Sequence, residues 1–265
     1  MHVDSTATML SPVQHDRFRR QGLVHLDAFL PRDEVDAACA VTRRVFHEAK
    51  TNGSEQPVVP PKGKLRGVSE SAPIRGLFTA PLMNAIVELA GGRSVRPLGN
   101  RPQFLITMPN AEEWTVPPTI WHVDLPRLPS NRLVGIQVFT FLSDVVPRSG
   151  GTLVVAGSHR LLNNGSRVRS KNIKKRLRRL PYFQDLMSKQ SVDRERFLTE
   201  SGWAQDPDAG DVSLRVVELC GRPGDVYLTD MRLLHTLAPN ANDESRVMLT
   251  HRFVIEEFAD ALWDE

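Results

Sequence analysis

Cysteine is scarce: Cys39 and Cys220 are the two in 265 residues. They lie far apart with no CxxC pair, which argues against a disulfide framework or a cysteine zinc site and favours a reducing compartment. Long apolar runs are also missing. The longest uncharged one, LVGIQVFTFL (133–142), is too short to span a bilayer. The opening MHVDSTATMLSPVQHDRFRR lacks the apolar stretch of a secretory signal. A cytoplasmic protein with no membrane span is therefore expected. No HExxH, G-x-S-x-G or Walker A pattern occurs, which removes the common zinc protease, nucleophile-elbow hydrolase and P-loop readings. There is no internal repeat and no low-complexity tract.

Positive charge is not spread along the chain. Net charge is +3, yet RVRSKNIKKRLRR (167–179) alone holds eight Lys/Arg and no acid, so the remainder stands at −5. A nucleic-acid partner is not expected from such a distribution. The length fits one domain, 1–265, with a core of useful size. Its N-terminal part, to about residue 94, reads as mainly helical. GLVHL (22–26) is a short strand, LPRDEVDAACAVTRRVFHEAK (30–50) a helix with Asp33 as its cap, and APLMNAIVELAGG (80–92) a second helix closed by glycine. TNGSEQPVVPPKGK (51–64) reads as a loop.

From about residue 95 the pattern becomes a series of short β-type runs: RPQFLITM, the stretch around WHVD, LVGIQVFTFL, GTLVVAG, LRVVEL, GDVYLTD and RVMLTHRFVI. Most follow one another without helices, which predicts an antiparallel sandwich or barrel. An insert over about 160–205 interrupts the series. It contains the basic cluster, and Ile173, Leu177 and Leu180 within it have amphipathic-helix spacing.

TIWHVDLPR (119–127) carries the chemistry. Residues i and i+2 of an extended segment share a side, so His122 and Asp124 can reach one point. His235 follows a strand-like run and precedes the turn Ala238-Pro239-Asn240, which makes it the best third ligand. Two histidines and a carboxylate leave positions open on iron(II), the arrangement oxygen chemistry requires. Arg246, eleven residues on, could pair with a cosubstrate carboxylate. Gln137 shares a strand face with Phe139 and Phe141 and could point toward cosubstrate or substrate. Trp121, Gln103 and Phe139 could line a substrate pocket. His251 reads as a packed residue, and His159 and Asn240 as turn and orientation residues.

WHVD (121–124), SGGTLVVAGSHR (149–160) and HTLAPNANDESR (235–246), with the opening GLVHLDAFLPRDEVDAA, resemble the phytanoyl-CoA dioxygenase family of iron(II)- and 2-oxoglutarate-dependent oxygenases. The resemblance spans most of the chain outside 160–205. It implies a double-stranded β-helix (jelly-roll, cupin-like) core with flanking helices, iron(II) on His122, Asp124 and His235, and 2-oxoglutarate held by Arg246. It also implies consumption of molecular oxygen, release of succinate and CO2, and hydroxylation or related oxidation of a small-molecule C–H bond. Aspartate at 124, where related halogenases carry a small residue, disfavours halogenation. Two positions depart from the family pattern: Ala156 replaces a proline before GSH, and Leu237 stands where many members have a hydroxyl beside the arginine. The basic insert, if it forms a lid, would favour an anionic or thioester-linked substrate. Two other classes stay open on the residues alone: a jelly-roll binding protein that uses its basic helix, and a zinc hydrolase.

Overall fold

The computed structural model describes residues 9–50, 58–111, 113–125, 127–128, 132–162, 168–190, 192–206 and 209–262. Ser11 starts α1 (Pro12–Gln21) with a reciprocal cap, its hydroxyl accepting from Gln14 N–H while the Gln14 side chain accepts from Ser11 N–H. Gly22 ends that helix at φ 78°, a left-handed conformation that glycine adopts without steric cost. The turn leads into β1 (Leu23–Leu26). The next helix, α2 (Arg32–Lys50), buries Val35, Ala38, Cys39, Thr42 and Val45 along one stripe. Asp33 sits in its first turn, beside the positive end of the helix dipole, instead of at the cap.

Of the expected 51–64 loop, residues 51–57 lie outside the described residues. Its last three residues open α3 (Lys62–Ser69), because Pro61 can precede a helix start as readily as it can sit in a loop. α4 (Ala72–Gly76) and α5 (Ala80–Leu89) follow, the latter capped by Thr79. The remaining strands are β2 (Val95–Pro97), β3 (Gln103–Thr107), β4 (Arg127–Leu128), β5 (Gly135–Phe141), β6 (Thr152–Ala156), β7 (Val168–Arg169), β8 (Gly202–Asp206), β9 (Gly210–Glu218), β10 (Val226–Asp230), β11 (His235–Leu237) and β12 (Arg246–Ile255). Helices α6 (Ser170–Leu177), α7 (Pro181–Leu186) and α8 (Arg196–Thr199) lie between β7 and β8, and α9 (Glu256–Ala259) follows β12.

One antiparallel sheet runs β1-β10-β5-β12-β2, with β3 also pairing β12, and a second runs β11-β6-β9-β8. They face each other as a double-stranded β-helix, the jelly-roll expected above. Alternation along the strands sorts the side chains. Val24, Ile136, Val138, Leu228 and Leu249 of the larger sheet point outward and pack with Val35, Ala38, Ile74 and Ile86 of the helices. Phe139, Phe141, Tyr227 and Met248 point inward, against Val154 and Ala156 of the smaller sheet. The smaller sheet's other face, including Val155, Val212 and Leu214, is covered by Ile173, Leu177, Phe183, Leu186 and Phe197 of α6 to α8. Each such side chain contributes about 1.5–3 kcal/mol on burial. The helices between β7 and β8 are thus fixed to the barrel, and α6 ends at Leu177, leaving Leu180 partly buried beyond it. Among the described residues no helix is long and apolar enough to cross a membrane.

Candidate metal centre

His122, Asp124 and His235 each offer one ligand atom, and the three atoms lie within 4.8 Å of one another. The backbone brings the histidines together: His122 N–H donates to His235 O, and His235 N–H to His122 O, both at 2.9 Å. This is a single antiparallel bridge, not the strand expected around WHVD. Pro117 and Pro118 just before it lack N–H donors, so a ladder cannot extend in that direction. The rings sit with centroids 4.4 Å apart.

Both imidazoles are oriented alike. Nδ1 of His122 bonds Ile120 O at 2.8 Å, and Nδ1 of His235 bonds Leu233 O at 3.0 Å. A carbonyl only accepts, so Nδ1 carries the proton in each ring and Nε2 keeps a lone pair for a metal. Those Nε2 atoms face Asp124, His122 at 3.5 Å from Oδ1 and His235 at 3.4 Å from Oδ2. Burial alone would raise the Asp124 carboxyl, but the two histidines and the Arg252 guanidinium outweigh it and hold the group far below the usual carboxylate range. The carboxylate in turn draws the His122 imidazole upward against its burial. A cation between the three atoms satisfies all of these charges at once.

The GSH motif places His235. Gly157 has φ 87°, and a side chain there would strike Ser213 O. Beyond this turn the Ser158 hydroxyl accepts Leu234 N–H at 2.9 Å, fixing the residue before the ligand. Arg232 and Asp230 form a buried ion pair beneath the same loop, Nε to Oδ1 at 3.0 Å and Nη2 to Oδ2 at 2.6 Å. His159 lies buried with Nε2 on Arg19 O, and Asn240 is fully buried, donating to Thr107 O and Glu244 O.

Arg246 is about 1% exposed. It donates Nε–H to Gly150 O (2.6 Å), Nη1–H to Leu105 O (3.1 Å) and Nη2–H to Thr107 Oγ1 (2.6 Å). Among the described residues no carboxylate forms an ion pair with it, and burial pulls its pKa down to about 10. Two of its five N–H groups remain for a further acceptor.

The phytanoyl-CoA dioxygenase profile matches residues 18–248. The chain belongs to the phytanoyl-CoA dioxygenase family. This member is an iron(II)- and 2-oxoglutarate-dependent oxygenase. Solved structures share its fold. The α-ketoglutarate-dependent carbocyclase SnoK from nogalamycin biosynthesis is 21% identical over 94% of this chain and 87% of its own, with TM-score 0.58. The epimerase SnoN, solved with Fe3+, α-ketoglutarate and nogalamycin RO, is 21% identical over 91% of this chain and 82% of its own, TM-score 0.53. EctD from S. alaskensis, solved with 2-oxoglutarate and 5-hydroxyectoine, is 17% identical over 94% of this chain and 78% of its own, TM-score 0.57. No curated protein sequence matches significantly.

The residues of this family member fit both groups. The triad supplies two neutral nitrogens and one anionic oxygen, the donor set iron(II) takes with positions to spare. Among the described residues the buried Arg246 makes no ion pair, so a carboxylate of 2-oxoglutarate would fit beside it. Leu237, the departure that left Arg246 short of a hydroxyl, lies half-exposed, and the hydroxyl comes instead from Thr107 on β3.

Gln137 is buried, with Nε2 donating to Asp124 Oδ2 (3.0 Å) and Thr250 Oγ1 (3.1 Å). Of the residues named for a substrate pocket, Trp121 and Phe139 are core, and the exposed Gln103 bonds Arg252. His251 packs edge-on against Phe78 and Phe253. Sequence reasoning missed Arg252 and Thr107. The available signal was alternation along RVMLTHRFVI, which puts Arg252 on the same face as Arg246. A cavity of about 650 Å³ opens elsewhere, between α1 and His159, Arg160 and Arg232, and no triad residue lines it.

Proposed function

We propose that this oxygenase hydroxylates, or otherwise oxidises a C–H bond of, a small anionic metabolite, with His122, Asp124 and His235 holding iron(II) and Arg246 holding the distal carboxylate of 2-oxoglutarate. The observation that carries this reading is the convergence of three ligand atoms within 4.8 Å, with both histidine Nδ1 atoms committed to carbonyls. When bound, iron(II) and 2-oxoglutarate supply the oxidising power: 2-oxoglutarate and O2 become succinate and CO2 as one oxygen atom enters the substrate C–H bond.

The chain's own residues bind, orient and exclude water. Arg246, oriented by the Thr107 hydroxyl, presents its remaining N–H groups to the cosubstrate carboxylate at the buried junction of β3 and β12. Phe139, Phe141, Tyr227 and Met248 keep the space between the sheets dry, which strengthens every charge interaction there. The anionic preference comes from α6. β4 follows the HxD segment and pairs with β7, which leads directly into that helix. Ile173 and Leu177 anchor α6 in the same core as Trp121 and Val123. The positive charge of Lys174 is near enough to act on the His122 imidazole, and a cation there favours an anionic substrate beside the metal.

The test is succinate release with O2 uptake across carboxylates, phosphates, coenzyme A thioesters and neutral analogues. Anionic compounds should stimulate turnover, and Lys174→Glu should raise their KM roughly tenfold, well beyond any weakening of 2-oxoglutarate or of neutral compounds. Equal stimulation by neutral analogues, or an unaffected KM in Lys174→Glu, contradicts the anionic assignment.

A further inference from the structure

The two oxygens of Asp124 have different surroundings. Oδ1 faces Nε2 of His122 at 3.5 Å, and Oδ2 faces Nε2 of His235 at 3.4 Å. Oδ2 accepts Nε–H of Arg252 at 2.8 Å, a second N–H from Nη2 of the same guanidinium, and Nε2–H of Gln137 at 3.0 Å. The donors are themselves fixed. Arg252 Nη1 donates to Gln103 Oε1 at 2.9 Å, the Gln137 amide also donates to Thr250, and Gln137 and Arg252 are direct cross-strand partners of β5 and β12. Arg252 and Asp124 side chains are 16% and 17% exposed, so water competes weakly for these bonds. A carboxylate oxygen has about two lone-pair positions. Three donors on Oδ2 therefore leave it little to give a metal, while Oδ1 keeps its lone pairs.

We propose that Arg252, assisted by Gln137, is a positioning residue that holds Asp124 to the metal through Oδ1 alone. This rests on the reading of the triad under Proposed function. The consequence is a matter of counting. With one oxygen from Asp124 and one nitrogen from each histidine, three positions stay open on an octahedral iron(II), enough for two oxygens of 2-oxoglutarate and one more ligand. Were Oδ2 also to bind, a position would be lost and 2-oxoglutarate would have to compete for it. A charged guanidinium gripping Oδ2 through two N–H groups prevents that, since charge-assisted bonds of this kind are roughly twice as strong as neutral ones.

The experiment compares wild-type protein with Arg252→Met, Arg252→Lys and Gln137→Leu. Iron(II) affinity is measured by chelator competition, and 2-oxoglutarate affinity by anaerobic titration of the iron-loaded protein, following the charge-transfer band of the chelate. Circular dichroism checks the fold. Arg252→Met should keep iron affinity within threefold of wild type or tighten it, because Oδ2 is then free to join, and should weaken 2-oxoglutarate at least tenfold. Arg252→Lys should fall between, and Gln137→Leu should weaken 2-oxoglutarate about threefold. The last two variants carry the comparison if Arg252→Met does not fold. Wild-type 2-oxoglutarate affinity in the iron-loaded Arg252 variants overturns the inference. So does a tenfold loss of iron with unchanged 2-oxoglutarate affinity per bound iron, which would mean that Arg252 only delivers Asp124 to the metal. Absence of the band in wild-type protein is a separate outcome that overturns the triad reading itself.

Discussion

Arg246 on β12 donates to the hydroxyl of Thr107 on the neighbouring β3 at 2.6 Å, and the two are direct cross-strand partners. A buried cation is thus oriented by a neutral group and two backbone carbonyls, and among the described residues no carboxylate is in ion-pair contact with it, Glu218 acting on it only from farther away. The account assigns that contact to 2-oxoglutarate. Arg246→Leu should weaken 2-oxoglutarate binding by at least tenfold, given about 1.5–3 kcal/mol for a charged hydrogen bond. Thr107→Val, which removes only the orienting hydroxyl, should weaken it by a smaller factor, roughly threefold. Isothermal titration of the iron-loaded proteins measures both, and an unchanged affinity in Arg246→Leu assigns the carboxylate to another residue.

His122→Ala and Asp124→Ala should each abolish stoichiometric iron(II) binding while far-ultraviolet circular dichroism stays native. His122 has 43% of its side chain exposed, and Asp124 lies outside any strand ladder, so neither truncation empties the core. Full iron occupancy in both variants would sink the triad.

The Asp230–Arg232 pair supports the loop that presents His235. Its side chains are 2% and 5% exposed. Asp230 accepts from Arg232 Nε, Nη2 and backbone N–H, so Asp230→Ala takes the carboxylate from a buried guanidinium and should destabilise the protein by about 3–5 kcal/mol. Denaturant unfolding measures this. A loss under 1 kcal/mol would mean the surroundings resolvate Arg232.

Burial, with a smaller contribution from Arg252, lowers His251 to about 4 from an ordinary 6.5. The folded state refuses a proton that the unfolded chain accepts. Stability is therefore complete above about pH 6.5 and declines as pH falls toward 4. His251→Leu should flatten this decline by on the order of 1–2 kcal/mol after discounting for solvent screening. Identical pH profiles for the two proteins contradict that assignment.

The candidate triad was legible in the sequence because metal chemistry restricts residue type: an HxD pair, a lone distal histidine and a following arginine have few other uses together, and the structure brings the three candidate ligand atoms within 4.8 Å. The jelly-roll was legible because β5, β6, β10 and β12 are runs long enough to carry an alternation signal. What escaped depended on partners distant in sequence. Arg252 is 128 residues from Asp124, and its contact exists only because the β5 and β12 register sets it opposite Gln137. Thr107 likewise required the β3 and β12 register. Strands of two or three residues, such as β2, β4, β7 and β11, are too short to show a period. β8 fell inside the expected 160–205 insert because Ala204 is its one fully buried side chain. The WHVD segment looked like a strand by composition, but the prolines before it left only the bridge to His235.

The most direct test of the central claim is anaerobic titration of the iron(II)-loaded wild-type protein with 2-oxoglutarate, following the visible charge-transfer absorption of the chelate. The account predicts a saturable band at one 2-oxoglutarate per iron. Protein with iron fully bound and no band at saturating 2-oxoglutarate would contradict it.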